Sequence, residues 1–291
     1  NALYTHTSGS ENTAIGFYAL NADISGINNI AIGYEALGVN TTGFSNTANG
    51  DYALSNNNVG YENSGFGKDV LYSTTGGYDN AAFGMSALYS NTSGYENTGI
   101  GYFADVSSSS LNNATAIGAN ATVNASNKVR IGNGAVTVIE GQVAYSFPSD
   151  GRFKTNVTED VKGLDFIMRL RPVVYNFETK KFDEFLMQNM PDSVREKRLA
   201  HTDYTASTAV RQSGFIAQEV EKAMKASSYD FNGLHKPADK NDNYSLSYSQ
   251  FVVPLVKAVQ EQQRMIENLS KENETLKERI DLLEKVGEKN K

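Results

Sequence analysis

The sequence predicts a mixed architecture: Gly/Asn-rich trimeric β-roll (β-solenoid) repeats, then an α+β domain ending in a long coiled-coil helix. Three observations carry that reading. Asparagine and glycine recur with a 17-residue period as far as Gly118. Composition changes abruptly near residue 148. Apolar residues at heptad spacing occupy the C-terminal end.

The composition narrows the function before any motif is read. The chain has 291 residues, with 26 Lys and Arg against 33 Asp and Glu and a net charge of −7. That balance disfavours a nucleic-acid or membrane-surface partner. Absence of cysteine excludes disulfides, thiolate nucleophiles and Cys-built metal centres. His6, His201 and His235 are scattered, so neither a metal nor a cofactor is expected. No apolar run approaches the roughly 18–20 residues of a membrane span, and no membrane insertion is expected. The chain opens mid-pattern at Asn1, which suggests a fragment or processed form. Residues 1–148 hold three basic residues (Lys68, Lys128, Arg130), ten acidic ones and 20 of the 25 glycines. All five prolines lie at or after Pro148, so a domain boundary is expected there.

In the repeats, asparagine stands at Asn12, Asn29, Asn46, Asn63, Asn80 and Asn97. Glycine follows four residues later, from Gly16 to Gly101, and a small residue plus Leu follows that, as in Ala36-Leu37. A second glycine row runs from Gly9 to Gly94 and is usually followed by Tyr or Phe. Seventeen residues are too few for a helical repeat, and fixed Gly and Asn oppose helix. Two short strands and two turns fit one coil of a solenoid, with asparagines stacked as amide ladders. Each coil offers about two to four apolar residues, a thin supply that reads as half of a core completed by other chains. Rows of Tyr and Asn could bind a surface glycan by stacking and hydrogen bonding, although structural ladders explain the same residues. Asp51, Asp69 and Asp79 lack calcium-loop spacing.

Segments such as Asn12-Thr13-Ala14-Ile15-Gly16 and Lys128-Val129-Arg130-Ile131-Gly132-Asn133 resemble the head repeats of trimeric autotransporter adhesins. That resemblance spans residues 1–133 and implies left-handed β-rolls with three chains side by side. The 17-residue spacing departs from that family's usual 14 or so.

After Pro148 the pattern becomes globular. Residues 161–170 predict an amphipathic helix ending before Pro172, and 173–177 a strand. Residues 183–212 look polar and irregular. A helix is expected over 215–226, and another from Tyr248 to Leu283, with Pro254 tolerated in its first turns. In the last helix Val259, Ile266, Asn273 and Ile280 take a positions. Leu255, Gln262, Leu269, Leu276 and Leu283 then take d positions. Four heptads with charged flanks predict a parallel coiled coil, in which Asn273 would fix register.

The boundary reads Pro148-Ser149-Asp150-Gly151-Arg152-Phe153-Lys154-Thr155-Asn156-Val157. It resembles the start of the intramolecular chaperone domain of phage endosialidases and tail spikes, the peptidase S74 family. Leu170 to Tyr175, Gly214 to Val220 and Tyr248 to Glu261 support the resemblance in the same order. The resemblance covers 149–291. It implies a domain that trimerises a fibre, assists its folding and often cuts itself off. It also implies a cut between Pro148 and Ser149, with Ser149 as nucleophile and Lys154 as base. A desolvated lysine can activate a serine hydroxyl, so that pairing is chemically sound. Asp150 and Gly151 are read as turn residues, and Arg152 as a partner for a carboxylate such as Glu219.

The expected layout is 17-residue repeats over 1–133, a connector over 134–148, a chaperone or peptidase domain over 149–254 and a coiled coil over 255–291. The expected function is a homotrimeric fibre tip or adhesin fragment, on a virion tail fibre or a bacterial surface. Its partners would be two further copies of the chain and a host-surface glycan or protein receptor. The competing reading is a permanent bacterial surface adhesin whose trimerisation domain never cuts. No paired carboxylates in the repeats suggest an enzyme acting on an external substrate.

Overall fold

The computed structural model describes residues 1–289, with side chains through residue 286. The chain divides into two compact units. One comprises residues 1–140, 176–212 and 239–242; the other comprises 141–175, 213–238 and the chain from Asn243 on.

In the first unit, three-residue strands succeed one another at the 17-residue period. They are β1 Thr13–Ile15, β2 Ile30–Ile32, β3 Thr47–Asn49, β4 Ser64–Phe66, β5 Ala81–Phe83 and β6 Thr98–Ile100. Then come β7 Asp105–Val106, β8 Ala114–Ile117, β9 Thr122–Val123 and β10 Lys128–Ile131. β1 to β6, β8 and β10 form one parallel sheet in which each strand pairs with the next coil. Ala14 faces Ala31 and Ala31 faces Ala48, while Ala114 faces Lys128 where the period shortens. β7 and β9 form a second parallel pair.

The interior is narrow. Ala31, Ala48 and Ala82 point inward from strand centres and are fully buried with Leu37, Leu54 and Leu88. One chain therefore closes each coil on itself. Ala, Leu and buried asparagine fill that interior, while Ile15, Phe66, Phe83, Ile100 and Ile131 stay exposed along the sheet, an apolar row that the expected neighbouring chains would cover. Leu37, Leu54 and Leu71 sit at left-handed φ of 50–51°. Such a conformation costs about 1–2 kcal/mol per residue, which full burial of a leucine, about 1.5–3 kcal/mol, can offset. The glycine row is fixed by stacking: a Cβ on Gly67 (φ +137°) would lie 2.7 Å from the Gly84 carbonyl.

Asparagines carry the polar side of this interior. Asn46 donates through Nδ2 to Asn29 Oδ1 (3.1 Å) and to the Gly60 carbonyl (2.8 Å), and accepts from the Asn63 amide (3.1 Å). A second buried row runs Asp23, Asn40, Asn57, Thr74, Asn91. Outside, Phe44, Tyr61, Tyr78 and Tyr95 stack 4.8 Å apart with planes within 6° of parallel. That spacing is one strand-to-strand step.

The helices are α1 Leu164–Ile167, α2 Thr179–Leu186, α3 Asp192–Ala200, α4 Thr205–Ala209, α5 Ala217–Ser227 and α6 Val252–Lys289. β11 Val173–Asn176 and β12 Arg211–Gly214 lie where the chain passes from one unit to the other. α2, α3 and α4 replace the irregular stretch expected over 183–212 and belong to the solenoid's unit. They are short and polar, so burial against the last coils sustains them rather than their own periodicity. Leu186, Met187 and Met190 are buried there. Arg198 is buried as well, and donates to the Phe103 carbonyl (2.8 Å) and to Thr122 Oγ1 (2.7 Å).

The second unit has its own core of Phe166, Val220, Ala223, Met224, Phe231 and Phe251. β13 Leu234–His235 and β14 Ser245–Leu246 pair antiparallel beside it. α1 is shorter than the helix expected over 161–170. Gly163 precedes it in a non-helical conformation, and a Cβ there would lie 2.7 Å from the Ala258 amide of α6. The Leu164 amide donates to Glu261 Oε2 (2.8 Å), which satisfies the new helix start. α6 follows a 3₁₀ turn over Tyr248–Phe251 and admits Pro254 in its first turn.

Candidate functional site

A 3₁₀ turn over Gly151–Phe153 positions the boundary residues. Asp150 caps it, accepting from the Arg152 amide (2.9 Å), and the Lys154 amide donates to the Gly151 carbonyl (3.2 Å). This turn folds the chain back over the interval between Ser149 and Lys154. Lys154 Nζ consequently lies 2.8 Å from Ser149 Oγ, within hydrogen-bond reach. Residues 136–160, Pro148 included, are exposed. A lysine serves as a base only once it loses its proton, which desolvation favours and open water does not.

The expected pairing of Arg152 with Glu219 is corrected. Arg152 binds Asp150 instead, at 2.6 Å, and its guanidinium holds the Asp150 carboxyl below the usual range. Glu219 is taken by Arg171 at 2.6 Å, which lowers its carboxyl in the same way. A partner two residues away closes the turn at smaller entropic cost than one in a distant helix.

Two further features bear on partners. The aromatic row from Phe44 to Tyr95 is stacked face to face, so its inner ring faces are covered by one another and offer a sugar edges and hydroxyls only. Along α6 the heptad residues Leu255, Val259, Ile266, Leu269, Leu276, Ile280 and Leu283 are all exposed. Residues 290–291 of the expected coiled coil lie outside the described residues.

Residues 149–229 match the family model described as chaperone of endosialidase, peptidase S74. This segment is an S74 chaperone domain. The match begins at Ser149 itself, at the turn just described. A β-solenoid precedes the domain, and the long helix α6 follows it over Val252–Lys289. No curated protein matches the chain. No helix among the described residues is long and apolar enough to cross a membrane.

Proposed function

We propose that this chain is the tip of a tail-fibre-like homotrimer, with the solenoid as presented shaft and the S74 domain as the element that directs assembly. The working segments are the repeats of 1–133, the connector of 134–148, the domain of 149–254 and the coiled coil of 255–291. A homotrimer would pack three solenoids side by side and three copies of α6 along their exposed a and d residues. The solenoid surface would meet a host-surface glycan or protein, which places the molecule on a virion tail fibre or a bacterial surface.

We further propose that the domain cuts the Pro148–Ser149 bond once. The observation that carries this is the 2.8 Å approach of Lys154 Nζ to Ser149 Oγ at the first residue of the matched domain. Neutral Lys154 takes the hydroxyl proton as Oγ attacks the Pro148 carbonyl carbon. The C–N bond breaks, and the proton passes to the freed Ser149 amine. Water then hydrolyses the Pro148 ester, which leaves fragments of 148 and 143 residues. A denaturing gel of folded protein should show both, with the C-terminal one beginning Ser-Asp-Gly-Arg. Ser149→Ala and Lys154→Arg should each leave one band. Wild-type protein that stays whole after prolonged incubation as an assembled oligomer would falsify the cut and favour the permanent surface adhesin.

A further inference from the structure

The Pro148–Ser149 bond separates two fragments in sequence, but the first compact unit contains residues from both sides of it. Three charged residues on the solenoid's last coils are paired with residues beyond Ser149. Asp105 lies 3.6 Å from Arg198 of α3, and both side chains are about as inaccessible as a side chain can be, at 0 and 1 % exposure. Arg130 on β10 lies 3.5 Å from Asp183 of α2. Asp183 also accepts from the Gly134 amide at 2.9 Å. Lys128, also on β10, lies 2.9 Å from Asp242.

The solenoid contributes one acid, Asp105, and two bases, Arg130 and Lys128, and each meets its opposite. A register that set Asp105 against Asp183 or Asp242 would bring like charges together at the fully buried Asp105, so that site selects the docked position. Leu186, Met187 and Met190 of the same stretch are buried as well. None of this depends on the peptide bond at residue 148.

We infer that residues 176–212 and 239–242 form a docking element for the solenoid's last coils, so that cutting at Ser149 yields a nicked, non-covalent complex and not a released chaperone. The statement about cutting rests on the proposed self-cleavage; the docking does not. Its partner is therefore this chain's own fragment 1–148, and the C-terminal fragment remains as a cap over the solenoid end. Capping is what a stack of repeats needs, because its last coil otherwise presents unpaired strand edges and bare apolar surface.

The test keeps docking separate from self-cleavage. A chain carrying Ser149→Ala and a recognition sequence for an added site-specific protease within residues 141–147 is folded, then cut with that protease. A denaturing gel should show two fragments, and size exclusion at micromolar concentration should return them as one peak. The same experiment on Arg198→Ala combined with Asp183→Asn and Asp242→Asn should release the N-terminal fragment. Retention should weaken at least about a hundredfold, since breaking a buried pair leaves its partner charge stranded. Circular dichroism of the uncut triple variant verifies that it folds. If it does not, single Asp183→Asn and Asp242→Asn variants should each show faster fragment loss than the parent. Fragments that separate without any substitution would overturn the inference. So would full retention in the folded triple variant, or single variants as retentive as the parent.

Discussion

The amide ladder can be tested at one rung. Asn63 is fully buried, and its Nδ2 donates to Asn46 Oδ1 (3.1 Å) and to the Gly77 carbonyl (2.8 Å). Its Oδ1 accepts from the Asn80 amide (3.2 Å) and from Asn80 Nδ2 (2.9 Å). Asn63→Ala removes all four. Asn46 Oδ1 keeps the Asn63 amide, and Asn80 Nδ2 keeps the Gly94 carbonyl at 2.9 Å. Two backbone groups lose these bonds, the Asn80 N–H and the Gly77 C=O, at about 1–3 kcal/mol each when buried. The expected loss is about 2–6 kcal/mol. Asn58 is the control, since it is exposed and accepts from Thr41 Oγ1 at 2.6 Å. Its change to alanine should stay within about 0.5 kcal/mol. Urea unfolding followed by circular dichroism, at fixed protein concentration in a Ser149→Ala background, measures both. Amide exchange at Asn80 should quicken in Asn63→Ala alone. If the two variants have the same midpoint, the ladder contributes nothing beyond shape and the reasoning fails.

Ile266→Asp or Leu269→Asp should reduce the native mass from about three times 31.7 kDa towards 31.7 kDa, because each places a charge in the proposed coil seam; an unchanged trimer by native mass spectrometry would remove α6 from the interface. Both His6 ring nitrogens face acceptors, Asp23 Oδ2 at 2.6 Å and the Gly9 carbonyl at 3.0 Å, so the imidazolium is favoured and its pKa lies above 6.5, first through Asp23 and then through Gly9. The stabilisation is full below pH 6.5 and is lost as pH rises through the raised value; NMR titration of Asp23→Asn should show His6 falling back towards 6.5. Burial pushes the Asp105 carboxyl up to about 6, against the opposing pull of Arg198. Its contribution is therefore full below about pH 3.8 and is lost as pH rises through about 6; thermal unfolding of Asp105→Asn should lack that decline between pH 4 and 7.

Sequence periodicity made the solenoid legible because every coil repeats the same steric demand. A glycine that cannot carry a Cβ, an inward alanine and a stacking asparagine each leave a residue in fixed phase. The second polar row was harder to see, since Asp23 and Thr74 interrupt its asparagines. The Ser149–Lys154 approach was legible through the resemblance, because a five-residue interval closed by one turn is local. α2 to α4 were not legible. Their helices are brief, and Arg198 looks like any surface arginine until Asp105, over ninety residues earlier in the chain, is brought against it. Nor did the few apolar residues per coil reveal how much of its interior alanine and buried asparagine fill. Counting apolar residues underestimates an interior built with satisfied amides.

The exposure of Ser149, Lys154 and the heptad stripe of α6 sets the timing that the proposed cut would have. α6 is 38 residues long and presents its a and d residues to water. At 1.5 Å per residue it extends about 57 Å, and each Leu or Ile it buried in a coil would gain about 1.5–3 kcal/mol. In the proposed homotrimer, association would be driven by this surface, which the single chain leaves bare. Ser149 and Lys154 have the distance for proton transfer but sit in solvent. On the proposed reading, covering by neighbouring chains supplies the missing desolvation. A dyad built into a dry pocket of each chain would cut before the three solenoids had found register. One that acts only after assembly would leave the connector intact while α6 can still align the chains. Dilution experiments separate the two: cleavage that begins below the trimer's dissociation concentration would show that the single chain is sufficient.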